Sequence, residues 1–182
     1  MTYISEVPEE KADANLRQIY AQIREEFGFL PHFWQAQGSR PDIVRVSLEL
    51  WRLIYRTGAL PSALKEEIGL VVSAANSDSY CIVAHLELLR RLGVDKALGE
   101  QLVLNYEAAD VPQREKALFR FAEKVTRAPF KIKEPDISEL RRYGWDDAAI
   151  LEVCLVASHF NFLNRLAASL GLVPEHVFSV ET

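Results

Sequence analysis

The chain has 182 residues, 49% of them apolar, which is enough for a full hydrophobic core and excludes a disordered chain. Its net charge of −5, with basic residues scattered along the sequence, argues against nucleic acid or an anionic membrane surface as a partner. No apolar run is long enough to cross a bilayer, and the acidic start MTYISEVPEEKADAN lacks the apolar core of a signal peptide, so the expected compartment is the cytoplasm.

The elements read as helices throughout. Residues 1–12 form an N-terminal arm. Leu16, Ile19, Tyr20, Ile23 and Phe27 then recur at helical spacing, and Gly28 ends the run. Leu30 to Gln37 is aromatic and has room for one or two turns. Ser39-Arg40-Pro41 opens a long helix to about Thr57, punctuated by Gly58 and Pro61. A helix is expected over 62–75. Asn76-Ser77-Asp78-Ser79, rich in capping residues, breaks the chain before another helix to about Leu92. These two form a helical hairpin over 60–93. A shorter helix is expected over 96–106. Asp110-Val111-Pro112-Gln113 has the pattern of a capping box and starts a helix with Ala117, Leu118, Phe121, Ala122 and Val125 on one face. Residues 129–135 connect to a short helix over 137–143. Asp146 caps a last long helix to about Leu170. That helix is apolar on nearly every side, so it is either central or packed on a second subunit. Strand alternation is absent, and the expected fold is one all-α domain over 1–182.

Two cysteines are present, Cys81 and Cys154, far apart, which makes a structural disulfide an unfavoured reading in that compartment. No Cys/His spacing suits zinc, and no glycine-rich phosphate loop or nucleotide motif occurs, so neither a metal nor a cofactor is called for. Cys81 and His85, spaced i and i+4, share a helical face. In the first helical turn, free N–H groups and the helix dipole favour a Cys81 thiolate, with His85 as base or as partner of the anion. The alternative is that both are core residues. Asp78 either raises the thiol pKa by its charge or caps the helix, and the cap is the preferred reading. His159, Asn161, Asn164 and Arg165 form a polar break in the last helix and are read as structural, with Arg165 pairing a carboxylate or lining a pocket. Phe33, Trp34, Trp51 and Tyr55 read as core or interface. His32 and His176 have no evident partner.

The arrangement Glu66, eleven residues, Asp78-Ser79-Tyr80-Cys81, three residues, His85 resembles the signature of the alkylhydroperoxidase D family of the carboxymuconolactone decarboxylase-like superfamily. Leu30-Pro31 to Trp34, Arg40-Pro41-Asp42, Asp110-Val111-Pro112 with Glu115 to Leu118, and Phe160 to Ala167 resemble its peroxidase-related branch, across nearly the whole chain. The resemblance implies a compact multi-helix bundle that forms homo-oligomers, built on dimers or trimers, and thiol-dependent reduction of hydroperoxides in antioxidant defence. It implies that Cys81 is the nucleophile, with His85 and Glu66 as its proton relay. Asp78 stands where the family has the resolving cysteine, so an external thiol reductant is required, or Cys154 must serve. Two other readings are an acid–base lyase or isomerase acting on a small lactone or carboxylic acid through His85 and Glu66, and a non-catalytic helical oligomer.

Overall fold

A computed structural model describes residues 2–175. His176 lies outside the described residues. Among the described residues nine α-helices follow in order: α1 (Ala14–Phe27), α2 (His32–Gln35), α3 (Pro41–Arg56), α4 (Ser62–Ala75), α5 (Ser79–Arg91), α6 (Lys96–Asn105), α7 (Gln113–Arg127), α8 (Glu134–Arg142) and α9 (Asp147–Leu170). Short 3₁₀ turns lie at Glu9–Lys11, Tyr106–Ala108 and Pro129–Lys131. No strand occurs among the described residues.

Aspartates set four of the helix starts. Asp13, Asp78, Asp95 and Asp146 accept from the backbone N–H of Leu16, Cys81, Ala97 and Ala149. Each satisfies a donor that the first turn leaves unpaired. The α7 start differs from the sequence reading. Pro112 is the N-cap and makes no side-chain cap. Its carbonyl accepts from Glu115 and Lys116, so Asp110 lies outside the helix and no capping box forms. Likewise α8 begins at Glu134, with Pro135 inside its first turn, where a missing N–H costs nothing.

One core joins all layers, and α4 is its hub, packed on α5, α6, α7 and α9. Ile68 to Val72 are buried without interruption, so α4 has no solvent face along that stretch. At Gly69 a Cβ would lie 1.8 Å from Phe160 Cζ, so only glycine lets α9 come this close. α9 is central, as one of the two sequence readings held, with α3, α4, α5, α7 and α8 against it. It runs unbroken through its polar stretch.

The α4–α5 reversal is short because two motifs share a residue. Ser77 takes φ 55°, the Ser77 N–H bonds Ala74 O, and the Asp78 N–H bonds Ser73 O. This is a Schellman ending, and its last residue is also the N-cap of α5. The N-terminal arm lies against the body: Tyr3 N–H bonds Leu170 O, and Tyr20 hydroxyl donates to Val7 O.

Candidate active site

Three consecutive charged residues of α4, Lys65, Glu66 and Glu67, are buried. Buried charge needs compensation, and each residue meets it differently. Lys65 Nζ reaches Glu152 Oε2 at 2.9 Å and also donates to Thr57 O. Glu66, 1% exposed, bonds His85 Nδ1 at 2.6 Å across the hairpin. Glu66 thus belongs to the interior and is not a solvated glutamate of the helix surface. Glu67 has the Glu115 carboxylate nearby, and burial first, then that charge, pushes its pKa up to about 7.

His85 and Cys81 both face one cleft, open to solvent and walled largely by aromatic and other apolar side chains. Phe27, Phe33, Trp34, Trp51 and Tyr80 contribute to the wall. The aromatic residues read from sequence as core are core, and three of them, Phe33, Trp34 and Trp51, also wall this cleft. Packing fixes His85: its ring meets Phe160 edge-on with centroids 4.5 Å apart. With the Glu66 carboxylate accepting, His85 Nδ1–H donates, and a neutral ring then keeps its lone pair on Nε2.

The sulfur differs from expectation. Cys81 is 3% exposed, and burial pushes its thiol pKa well above the ordinary value. The Asp78 charge pushes it further, while a hydrogen bond from Asn164 works the other way. The thiolate expected from the helix dipole is corrected to a protonated thiol, because desolvation outweighs a dipole worth about 0.3–2 kcal/mol. Asp78 plays both parts weighed from sequence: it caps α5 through Cys81 N–H at 2.7 Å and raises the pKa of that residue's thiol. Cys154 is half-buried and, like Cys81, unpaired; it is not part of the cleft wall.

Several residues near the sulfur escaped the sequence reading. Tyr80 hydroxyl donates to Glu175 Oε1 at 2.8 Å, and that oxygen also accepts from His32 N–H at 2.7 Å. His32 Nδ1 in turn meets Glu6 Oε2 at 2.8 Å, so His32 does have partners. Among the described residues Glu175 Oε2 is the one buried side-chain oxygen or nitrogen without a partner. Tyr55, from α3, bonds His159 Nδ1 at 3.0 Å, and His159 lines the cleft. For Tyr55 and His159 the only sequence signal was polarity inside apolar helices. No three His, Cys, Asp or Glu side chains among the described residues group as metal ligands.

A family model, the carboxymuconolactone decarboxylase family, matches residues 41–124, the stretch that holds Glu66, Asp78, Cys81 and His85. A crystal structure of an uncharacterized peroxidase-related protein with an alkylhydroperoxidase AhpD core, from Ralstonia eutropha JMP134, is 28% identical with a TM-score of 0.91. The match covers 97% of this chain and 94% of that one. A peroxidase-related protein from Silicibacter sp. TM1040 is 29% identical, TM-score 0.89, over 97% and 93% of the two chains. Over residues 41–124 the chain matches that family, and over nearly its whole length it is similar to these alkylhydroperoxidase D-like, peroxidase-related proteins.

The same fold occurs in a debrominase, Bmp8, crystallised as a cysteine-to-alanine variant with 2,3,4-tribromopyrrole. It is 22% identical over 98% of this chain and 95% of its own, TM-score 0.85. No curated protein matches. The family model stops before α9, whose polar residues are placed by the structure alone. Asn164 Nδ2 donates to Ser73 Oγ, and Asn76 donates to both Asn161 and Asn164, stitching α4 to α9. Arg165 is exposed, bonds Asn161 and does not line the cleft.

Proposed function

We propose that the protein is a thiol-dependent peroxidase that reduces apolar organic hydroperoxides through Cys81, with His85 and Glu66 as the proton relay. The observation that carries this reading is the buried Glu66–His85 hydrogen bond opening on the same cleft as Cys81. Because the thiol is protonated at rest, deprotonation accompanies attack. His85 Nε2 takes the thiol proton as Cys81 Sγ bonds to the terminal peroxide oxygen and the O–O bond breaks. The proton passes to the departing oxygen, leaving a Cys81 sulfenic acid and an alcohol. Two equivalents of an external thiol then restore Cys81, releasing water and a disulfide. The reductant is external because Asp78 offers no thiol beside Cys81. The aromatic wall favours an apolar substituent on the peroxide. The protein acts as a homo-oligomer in the cytoplasm.

The test is hydroperoxide consumption with a thiol reductant. Wild type is expected to turn over, and Cys81→Ser to fall to background. Equal rates in the two would end the proposal.

A second reading has one observation in its favour: the Glu66–His85 pair is complete without the sulfur, whose proton is firmly held. Acid–base chemistry on a small lactone or carboxylic acid would then need His85 and not Cys81. Activity lost in His85→Ala and kept in Cys81→Ala distinguishes it.

A further inference from the structure

His159 sits on α9, is 7% exposed, and faces the cleft that Cys81 and His85 share. Its Nδ1 is 3.0 Å from the hydroxyl of Tyr55, which is fully buried. Two protonation states decide the direction of that bond. Burial, then the charges of Glu66 and Cys81, push the phenol pKa well above its ordinary value, so Tyr55 keeps its proton. Burial, then the nearby His85, hold His159 down to about 4, so its ring is neutral near pH 7 and carries one hydrogen. The Tyr55 hydroxyl has no other bonding partner among the described residues. It therefore donates to Nδ1, and the ring hydrogen sits on Nε2.

Nε2 has no partner among the described residues either, and it is not a sealed-off atom, since Glu175 Oε2 alone is buried and unpaired there. The Nε2–H is thus a fixed donor on a ring that lines the cleft. His85 is its complement. Its Nδ1–H is spent on Glu66, so it offers a lone pair. Two imidazoles with opposite hydrogen-bonding character line the cleft that Cys81 also lines, and each is oriented by a buried partner.

We propose that His159 is a second catalytic imidazole, whose Nε2–H, fixed by Tyr55, binds the oxygen that departs as Cys81 is oxidised. This rests on the peroxidase reading above. The proton balance is unchanged. The thiol proton reaches the leaving oxygen by way of His85, while His159 donates only a hydrogen bond to the charge developing there. Such a donor stabilises the transition state more than the ground state, because the oxygen becomes anionic only as O–O breaks.

The experiment measures single-turnover oxidation of Cys81 by hydroperoxides whose leaving alcohols differ in acidity. H159L is expected to lose about 10²–10³-fold in rate. It also becomes more sensitive to leaving-alcohol acidity, which a packing defect would not cause. H159Q, which keeps an N–H near the Nε2 position, recovers most of the rate and the shallow dependence. Y55F is the second arm and keeps the packing if H159L does not fold. ¹⁵N NMR should show His159 as the Nε2–H tautomer in wild type and a tautomer mixture in Y55F, with partly steepened leaving-group dependence. A wild-type rate and slope in H159L, or in Y55F if H159L does not fold, overturns the role of His159 and leaves the peroxidase reading intact. An Nδ1–H tautomer in wild type does the same. A wild type that oxidises no faster than Cys81→Ser overturns both.

Discussion

At the scale of single residues, the contest at Cys81 is between a helix start that favours the anion and an interior that forbids it. Burial wins, and Asp78 adds to it. Asp78→Asn separates the two roles of that side chain. Asparagine caps as well as aspartate, so stability changes by only about 0.5 kcal/mol or less. The charge beside the sulfur disappears, so the thiol pKa falls and iodoacetamide alkylation of Cys81 at pH 8 speeds up severalfold. An unchanged rate would mean that desolvation alone sets the pKa. How much of this site was legible follows the range of each contact. Cys81, His85 and Asp78 are neighbours on one helix, and spacing was enough to group them. Glu66 became visible only through the family resemblance, because burial of a first-turn glutamate leaves no mark in local sequence. Tyr55 and His159 stand 104 positions apart, and their bond exists only once α3 and α9 are packed. The raised thiol pKa was out of reach for the same reason, since desolvation belongs to the folded interior.

At the scale of elements, the helix pattern was readable nearly throughout, because buried positions recur at 3.6-residue spacing and aspartates and glycines mark the ends. Errors fell at prolines. Pro112 and Pro135 suit more than one position near a helix start, and the sequence does not say which one the chain uses. What the pattern could not convey was the separation between helices. Gly69 sets it for α4 and α9, and Phe160, which fills that contact, also packs on His85. Gly69→Ala should therefore cost about 1–3 kcal/mol by overpacking and also lower activity by displacing His85. Chemical denaturation and turnover measured on the same protein check both. The α4–α7 contact carries a pH dependence. Glu67 has a folded pKa of about 7, above its unfolded value, with burial and Glu115 as causes. The folded state thus holds a proton that the unfolded state releases between about pH 4.5 and 7. Its stability contribution is complete below that window and is lost as pH rises through 7. Glu67→Gln should stabilise the protein at pH 8 by about 1–2 kcal/mol and change little at pH 5. Equal effects at the two pH values would contradict this.

At the scale of the whole molecule, the apolar residues left outside the core are not scattered. On α3, Ile43, Val46, Leu50 and Leu53 are exposed at spacings that keep them on one side of the helix. On α9, Leu151, Leu155 and Phe162 are exposed as well, and α3 packs against α9. Two adjacent helices therefore present large apolar side chains to solvent in the monomer. A stripe of this kind on one helix is tolerable; two side by side make a surface that a lone soluble chain seldom keeps. The homo-oligomer proposed above would cover it, were a second copy to place like stripes against like. The consequence for the site is direct, because α3 supplies Tyr55 and Trp51 and α9 supplies His159 from their inward faces. Leu53→Asp combined with Leu155→Asp should convert the oligomer to monomer in sedimentation velocity, since buried carboxylates cannot be accommodated in a dry interface. Turnover by the monomer should fall, through loosening of both helices, while Cys81 alkylation becomes faster as the cleft hydrates. An unchanged sedimentation coefficient in the double variant would place the interface elsewhere.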